Sequence, residues 1–428
     1  MKKIAIVLLS TVVCGTLASA KIVQQFEPEK DTSAFSGKPE VSFAVDLSFY
    51  YQGLSQDYQG TTTNGTTYSL GSGGIEEALI LPTANFDIYG KIMSGFNVKL
   101  QTMLASHHHN ETYVKGGYAT IDNLDFIAPG FLSDVMRNTT IKIGVNDINY
   151  GDDQYRRTDN ANVMRNPFIN NLAVDGYTQG THVEVLYRIP AISSFAMVGV
   201  TNGQANPQDT TVVETASTSS NRYALYGKIG FDHEFSDDLR FRITESVYYI
   251  EGVNRVDLYN GDKAGNVIRN VYGTANTDVF SSGWQPTSVY TSAGTATITP
   301  DVLASKTNFF LKYKDTEFYA MYEVINAEDI NGKSADTKHY AVDLVQRFYN
   351  DKFWLAARYE NAVQEYQDAF NDFGDAELTQ WQLAAGWFLS KNAVAKIEYI
   401  DQEREKFAIY RNGNASFNGF MVNAALSF

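Results

Sequence analysis

The chain has 428 residues, with 49 acidic against 34 basic side chains and one cysteine, Cys14. Such acidity excludes nucleic acid as a natural partner, because that binding rests on neutralising phosphates. No apolar run beyond the first residues approaches the roughly 20 residues of a spanning helix, which excludes a helical membrane protein, and the length is too great for one ordinary soluble domain.

Met1–Ala20 (MKKIAIVLLSTVVCGTLASA) reads as a signal peptide. Lys2 and Lys3 precede an apolar stretch over Ile4–Val13, and Ala18-Ser19-Ala20 fits an A-x-A cleavage site. A membrane anchor fits less well because the apolar run is short. A lipoprotein site at Cys14 fits less well because Val13 precedes it. Cleavage leaves a chain with no cysteine, hence no disulfide and no thiol catalysis. Without Lys2 and Lys3 the basic count falls from 34 to 32 and the formal charge becomes −17. Residues 21–39 are polar and read as a short periplasmic lead before a unit spanning 40–428.

Val41–Tyr51 alternates strictly, with Val41, Phe43, Val45, Leu47, Phe49 and Tyr51 on one side. Alternation over about ten residues is the pattern of a transmembrane strand, and here it recurs. Residues 53–77 read as a long Gly/Thr/Ser loop. Strands follow over Ile80–Ile92, Phe96–Ser106 and Thr112–Leu124, the last two joined by the short loop His107–Glu111. Asp125–Asn138 reads as an unusually long turn and Thr139–Val145 as the fifth strand. Beyond Gly180 the alternation resumes and reaches Phe428, with short turns such as Ser236–Asp238, Lys314–Thr316 and Ser390–Asn392. Residues 252–304 read as the longest loop. The total is sixteen strands whose connections alternate between short and long, the asymmetry of an outer-membrane barrel. An even count lets the first and last strands close antiparallel, which matters because unpaired backbone groups in hydrocarbon cost several kcal/mol each. The expected fold is an all-β, 16-stranded antiparallel transmembrane β-barrel. A soluble β-sandwich array or propeller is the competing reading.

Asn146–Gly180 stands apart. It is long and polar and does not alternate, yet it holds Tyr150, Tyr155, Phe168, Ile169, Leu172, Val174 and Tyr177. Disordered segments lack such residues, so it reads as a folded loop packed against the inner wall of the barrel, with Arg156, Arg157, Asp152, Asp153, Asp159 and Arg165 at a constriction. Strand parity sorts further charges inward, because charge facing lipid is costly. It places Lys99, Lys142, Arg188, Arg240, Arg242, Arg347 and Arg358 on the lumen wall, where basic residues outnumber acidic ones although the chain is acidic. The excess acid then lies in loops and turns. A narrow low-dielectric channel focuses the field of wall charges, which predicts a weak preference for anions. The competing reading is that the wall cations simply pair with acidic neighbours.

His107-His108-His109 reads as a loop tip more than a metal site, because successive side chains on an extended chain diverge. Asp152, Asp153 and Asp159 offer oxygen ligands, but DDQYRRTD does not match a calcium loop. His182, His233 and His339 lie on separate strands without a nucleophile motif, so no enzyme, catalytic residue, metal or other cofactor is expected.

The signal, the sixteen alternating segments and the terminal AALSF (Ala424–Phe428) resemble a bacterial outer-membrane porin, with the phosphate-selective porin O/P-like proteins as the nearest type. The resemblance implies an outer-membrane location in contact with lipid, and passive diffusion of small hydrophilic solutes or ions. It also implies a third external loop folded into the lumen, a homotrimer, and recognition of Phe428 by the outer-membrane assembly machinery. The alternative from another class is a barrel without a through-pore, serving as an adhesin or surface scaffold.

Overall fold

The computed structural model describes residues 24–61 (32 and 34 excepted), 67–69, 73–74, 78–105, 111–158, 162–203, 223–251, 256, 258–259, 267–268, 271–272, 284, 286–290, 296–298, 301–328, 332, 334–366, 375–406 and 414–428. One sheet of eighteen strands includes two short segments, 67–69 and 73–74, that fold back onto the first strand. The other sixteen close a ring. They are β1 (Glu40–Thr61), β2 (Ala78–Met93), β3 (Phe96–Ala105), β4 (Glu111–Ile121), β5 (Thr139–Asp147), β6 (Gln179–Ile189), β7 (Ser194–Thr201) and β8 (Ala224–Ser236). The second half comprises β9 (Leu239–Ile250), β10 (Asp301–Tyr313), β11 (Thr316–Glu328), β12 (Ser334–Phe348), β13 (Phe353–Tyr366), β14 (Ala376–Ser390), β15 (Ala393–Glu405) and β16 (Ala415–Ser427). Each strand pairs antiparallel with its neighbours in sequence, and β16 returns to β1 with Asp46 opposite Ser427 and Tyr58 opposite Ala415. The fold is the expected closed sixteen-stranded antiparallel barrel.

Alternating sequence forms these strands because successive side chains point to opposite faces. The usual polarity is inverted. On β12, Thr337, His339, Asp343 and Arg347 are buried while Tyr340, Val342, Leu344 and Phe348 are exposed. β15 buries Lys396, Glu398, Gln402 and Arg404. A protein in water does the opposite, so the outer face is built for hydrocarbon. Exposed aromatics form two rows. Phe235, Tyr313, Phe348 and Trp387 lie near the tight turns, and Tyr249, Tyr322, Tyr340, Trp381 and Phe420 lie further along the strands. Such girdles sit at the two lipid–water interfaces.

Six of the seven connections at one end are tight, and the chain there adopts left-handed conformations. At Gly95 (φ +62) a Cβ would lie 2.3 Å from Asn123 Nδ2, so glycine lets the β2–β3 turn pack against Asn123 without displacing it. Several boundaries differ from the sequence reading, among them those of the Asn146–Gly180 loop, which spans 148–178 because β5 runs to Asp147 and β6 starts at Gln179. β1 runs on to Thr61, taking nine residues of the expected loop 53–77, because its ladder to β16 continues to Tyr58, past the point where apolar alternation stops, and residues 59–61 then pair with 67–69. β4 ends at Ile121, not Leu124, and the expected turn Asp125–Asn138 contains a helical turn, Ser133–Met136. β10 begins at Asp301, inside the expected loop 252–304, which also holds a small hairpin over 288–290 and 296–298.

Candidate functional site

The connection between β5 and β6, residues 148–178, lies against side chains of the strands' buried parity. It enters through Gly151 (φ +71), where a Cβ would come within 2.6 Å of Lys306 Cδ. One 3-10 turn, Asp153–Tyr155, then directs consecutive charges to different partners. Asp152 accepts two hydrogen bonds from Arg242, both 2.8 Å, and one from Lys228 at 3.0 Å. Asp153 accepts from Lys306 at 2.6 Å and from the Tyr319 hydroxyl. Arg156 reaches Asp343 at 3.3 Å, and Arg157 pairs with Asp175 at 2.6 Å.

Burial pushes the Asp152 carboxyl up, but the adjacent Arg242 and Lys228 charges outweigh it and hold the group below the ordinary carboxylate range. Past the turn, the backbone of the segment is held by wall carboxylates. Glu398 accepts from Ile169 N and Asn170 Nδ2, both at 2.6 Å, and Glu360 accepts from Ala173 N at 2.9 Å and Val174 N at 3.0 Å. Wall donors do the same for its carbonyls, Lys396 to Asn166 O at 2.7 Å and Trp354 Nε1 to Pro167 O at 3.0 Å. Phe168, Ile169 and Val174 have no exposed surface.

The wall is itself a network. Lys306 bridges Asp153 and Glu323, and His339 sits between Glu323 and Glu360 at 3.0 Å from each. Arg358 grips Asp343 at 2.6 and 2.9 Å, and Arg347 pairs with Glu317 at 2.8 Å. Lys99 pairs with Asp87 at 2.7 Å, Lys142 with Glu184 at 3.5 Å and Arg240 with Asp232 at 2.7 Å. Arg188 donates to Thr140 Oγ1 at 3.3 Å and to the Pro28 carbonyl. Arg156, Arg157 and Arg358 line one small pocket with Asp153, Asp175 and Tyr319.

The structure therefore brings Asp152, Asp153, Arg156 and Arg157 into one interior network with Arg242 and Arg358. Arg165 is half-buried, with Asp46 as its charged neighbour. Asp159 and His107–His109 lie outside the described residues. The calcium reading loses two of its ligands, since Asp152 and Asp153 face Arg and Lys.

Three features were missed in the sequence. Lys306, two residues past the expected loop 252–304, was not singled out, although it shares the inward parity of Asn308, Phe310 and Lys312. Glu317, one residue past a turn, was passed over. The lead was read only as periplasmic, yet Gln24, Phe26, Glu27 and Lys30 meet interior groups. Gln24 accepts from Arg156 at 3.2 Å, Glu27 from Arg242 at 2.9 Å, and Lys30 donates to Thr139 O at 2.8 Å. No periodicity marks such a segment.

No protein-family model and no curated protein sequence matches the chain. Among solved structures it is similar to the outer membrane channel DcaP of Acinetobacter baumannii, at TM-score 0.54 and 11% identity over 92% of this chain and 99% of that one. It is also similar to a loop L8 deletion mutant of OmpT, an outer membrane protein of Vibrio cholerae, at TM-score 0.50 and 15% identity over 91% and 99%. At such identities the likeness speaks for fold. Together with the closed ring and the inverted polarity, it defines the class: a sixteen-stranded outer-membrane β-barrel.

Proposed function

We propose that the protein is a porin, a water-filled channel for passive diffusion of small hydrophilic solutes across the outer membrane, with no catalytic activity. The observation that carries this reading is the charged interior. A barrel that served only as a scaffold has no need of ion pairs such as Asp152–Arg242 and Asp343–Arg358 within it, since burying charge is costly unless a polar path requires it. In this reading residues 1–20 are the signal, residues 148–178 are the third external loop folded into the lumen, and its contacts with Glu360, Glu398, Lys306 and Arg242 set the narrowest point. The similarity to an outer membrane channel supports a pore at the level of fold. Selectivity is weakly anionic and not of the phosphate-specific kind, because tight phosphate binding needs several donors converging on one anion and the interior arginines already face carboxylates. A homotrimer is part of the proposal and is checked by crosslinking.

Planar-bilayer recording tests the reading. The intact protein gives discrete conductance steps, and deleting Asp152–Asn170 enlarges them. Silence from both proteins, each folded by gel migration, refutes the pore and leaves the scaffold. Steps of unchanged size refute the constriction.

A further inference from the structure

The lead contributes a phenylalanine and a carboxylate to the same interior place. Glu27 lies 2.8 Å from Arg242 and 3.2 Å from Lys228, both of which are buried. The Phe26 ring lies 4.2 Å from the Arg242 guanidinium and 5.3 Å from that of Arg240, edge-on to Tyr155 and Phe310. Arg240 also donates to Gln24 O at 2.7 Å. No residue from 24 to 31 belongs to a strand, so the segment can leave without breaking a ladder. Its departure changes the charge balance. Lys228, Arg240 and Arg242 face Asp152, Asp232 and Glu27, three against three. Glu234, 3.9 Å from Arg240, has a mostly exposed side chain. Without Glu27 the three cations share two carboxylates, Asp152 and Asp232, an imbalance of buried charge that a diffusible anion relieves.

We propose that Lys228, Arg240 and Arg242 form a binding site for a small organic carboxylate with an apolar body, and that Phe26 and Glu27 fill this site as a tethered competitor. The carboxylate takes the place of Glu27 against Arg242 and Lys228, and the apolar body takes the place of the Phe26 ring among Tyr155, Phe310 and the Arg240 guanidinium. The proposal deepens the channel reading, since a solute reaches this place from a lumen open to water on at least one side. It is tested by binding, which needs no current.

Titration calorimetry of the purified barrel in detergent uses benzoate as probe and benzamide as its neutral counterpart. Deleting residues 24–31 tightens benzoate binding by about tenfold or more, because an occupied site is available only for the fraction of time its tether leaves it. F26A/E27Q in the full-length chain tightens it in the same direction. The peptide QQFEPEKD displaces benzoate from the deletion variant, and adding K228M/R242Q to that variant abolishes binding. Heat-dependent gel migration checks that every variant is folded. Equal affinity with and without the segment, or benzoate binding that survives K228M/R242Q, overturns the proposal. Bound benzoate in a barrel that passes no current upholds the site and refutes the channel, while current without benzoate binding does the reverse.

Discussion

Glu360 shows how much one interior carboxylate carries. It meets His339, Gln380 and the backbone N–H groups of Ala173 and Val174. Glu360→Ala strands two buried donors and removes one of the two carboxylates flanking His339, a kind of loss that costs about 3–5 kcal/mol. The expected outcome is a clear drop in the temperature at which the folded band shifts on a gel, and an unchanged temperature counts against a structural role. Asp152 makes a prediction about pH. Its folded value lies below the unfolded value of about 3.9, so its contribution is complete above that value and lost as pH falls through the folded one. The attachment of residues 148–178 to β8 and β9 therefore holds from pH 8 to 5, and thermal unfolding shifts only below about pH 4. A transition near pH 6 would assign the control elsewhere. Parity alone made Arg242 and Arg358 legible as inward residues. Their partners were not legible, because Asp343 and Arg358 face each other only through the register of β12 with β13, and Asp152 reaches Arg242 only through the path of an irregular segment.

At the scale of elements, all sixteen strands were legible in the sequence, since a lipid-facing strand cannot hide its alternation. Their ends were not, because strands extend beyond the hydrocarbon, where polar residues pair equally well. β1 illustrates this by running on through Gly53, Ser55 and Gln56 opposite Phe420, Asn418 and Phe417. The seam between β1 and β16 makes a prediction of its own. Phe428 exchanges two backbone hydrogen bonds with Val45, at 2.7 and 2.9 Å, so it is both the last rung of the closing ladder and an exposed aromatic. Deleting Phe428 lowers the amount of folded barrel in the outer membrane severalfold while export across the inner membrane continues. Normal surface levels of the truncated chain would refute this.

For the molecule as a whole, composition misleads unless it is divided by face. An acidic chain encloses a wall whose basic residues are largely matched by carboxylates, so net charge says little about what the proposed channel prefers. The field that matters is the small imbalance inside, because exposed loop charges are screened within about 8–10 Å. The expected result is a reversal potential in a salt gradient that indicates weak anion preference and fades as salt rises. R156A/R157A moves it toward cations. A clear cation preference of the unaltered protein at low salt would mean that acidic loops, not the wall, set the selectivity.

The segment at residues 148–178 meets Lys228, Arg242, Lys306, Asp343, Glu360 and Glu398, all on strands that follow it in the chain. During synthesis it therefore emerges before any of these partners exists, and its seat forms only with the second half of the barrel. Asp152, Asp153 and Arg156, each paired with an opposite charge on a later strand, then fix where it sits, so the order of the chain makes the segment the last piece to find its place.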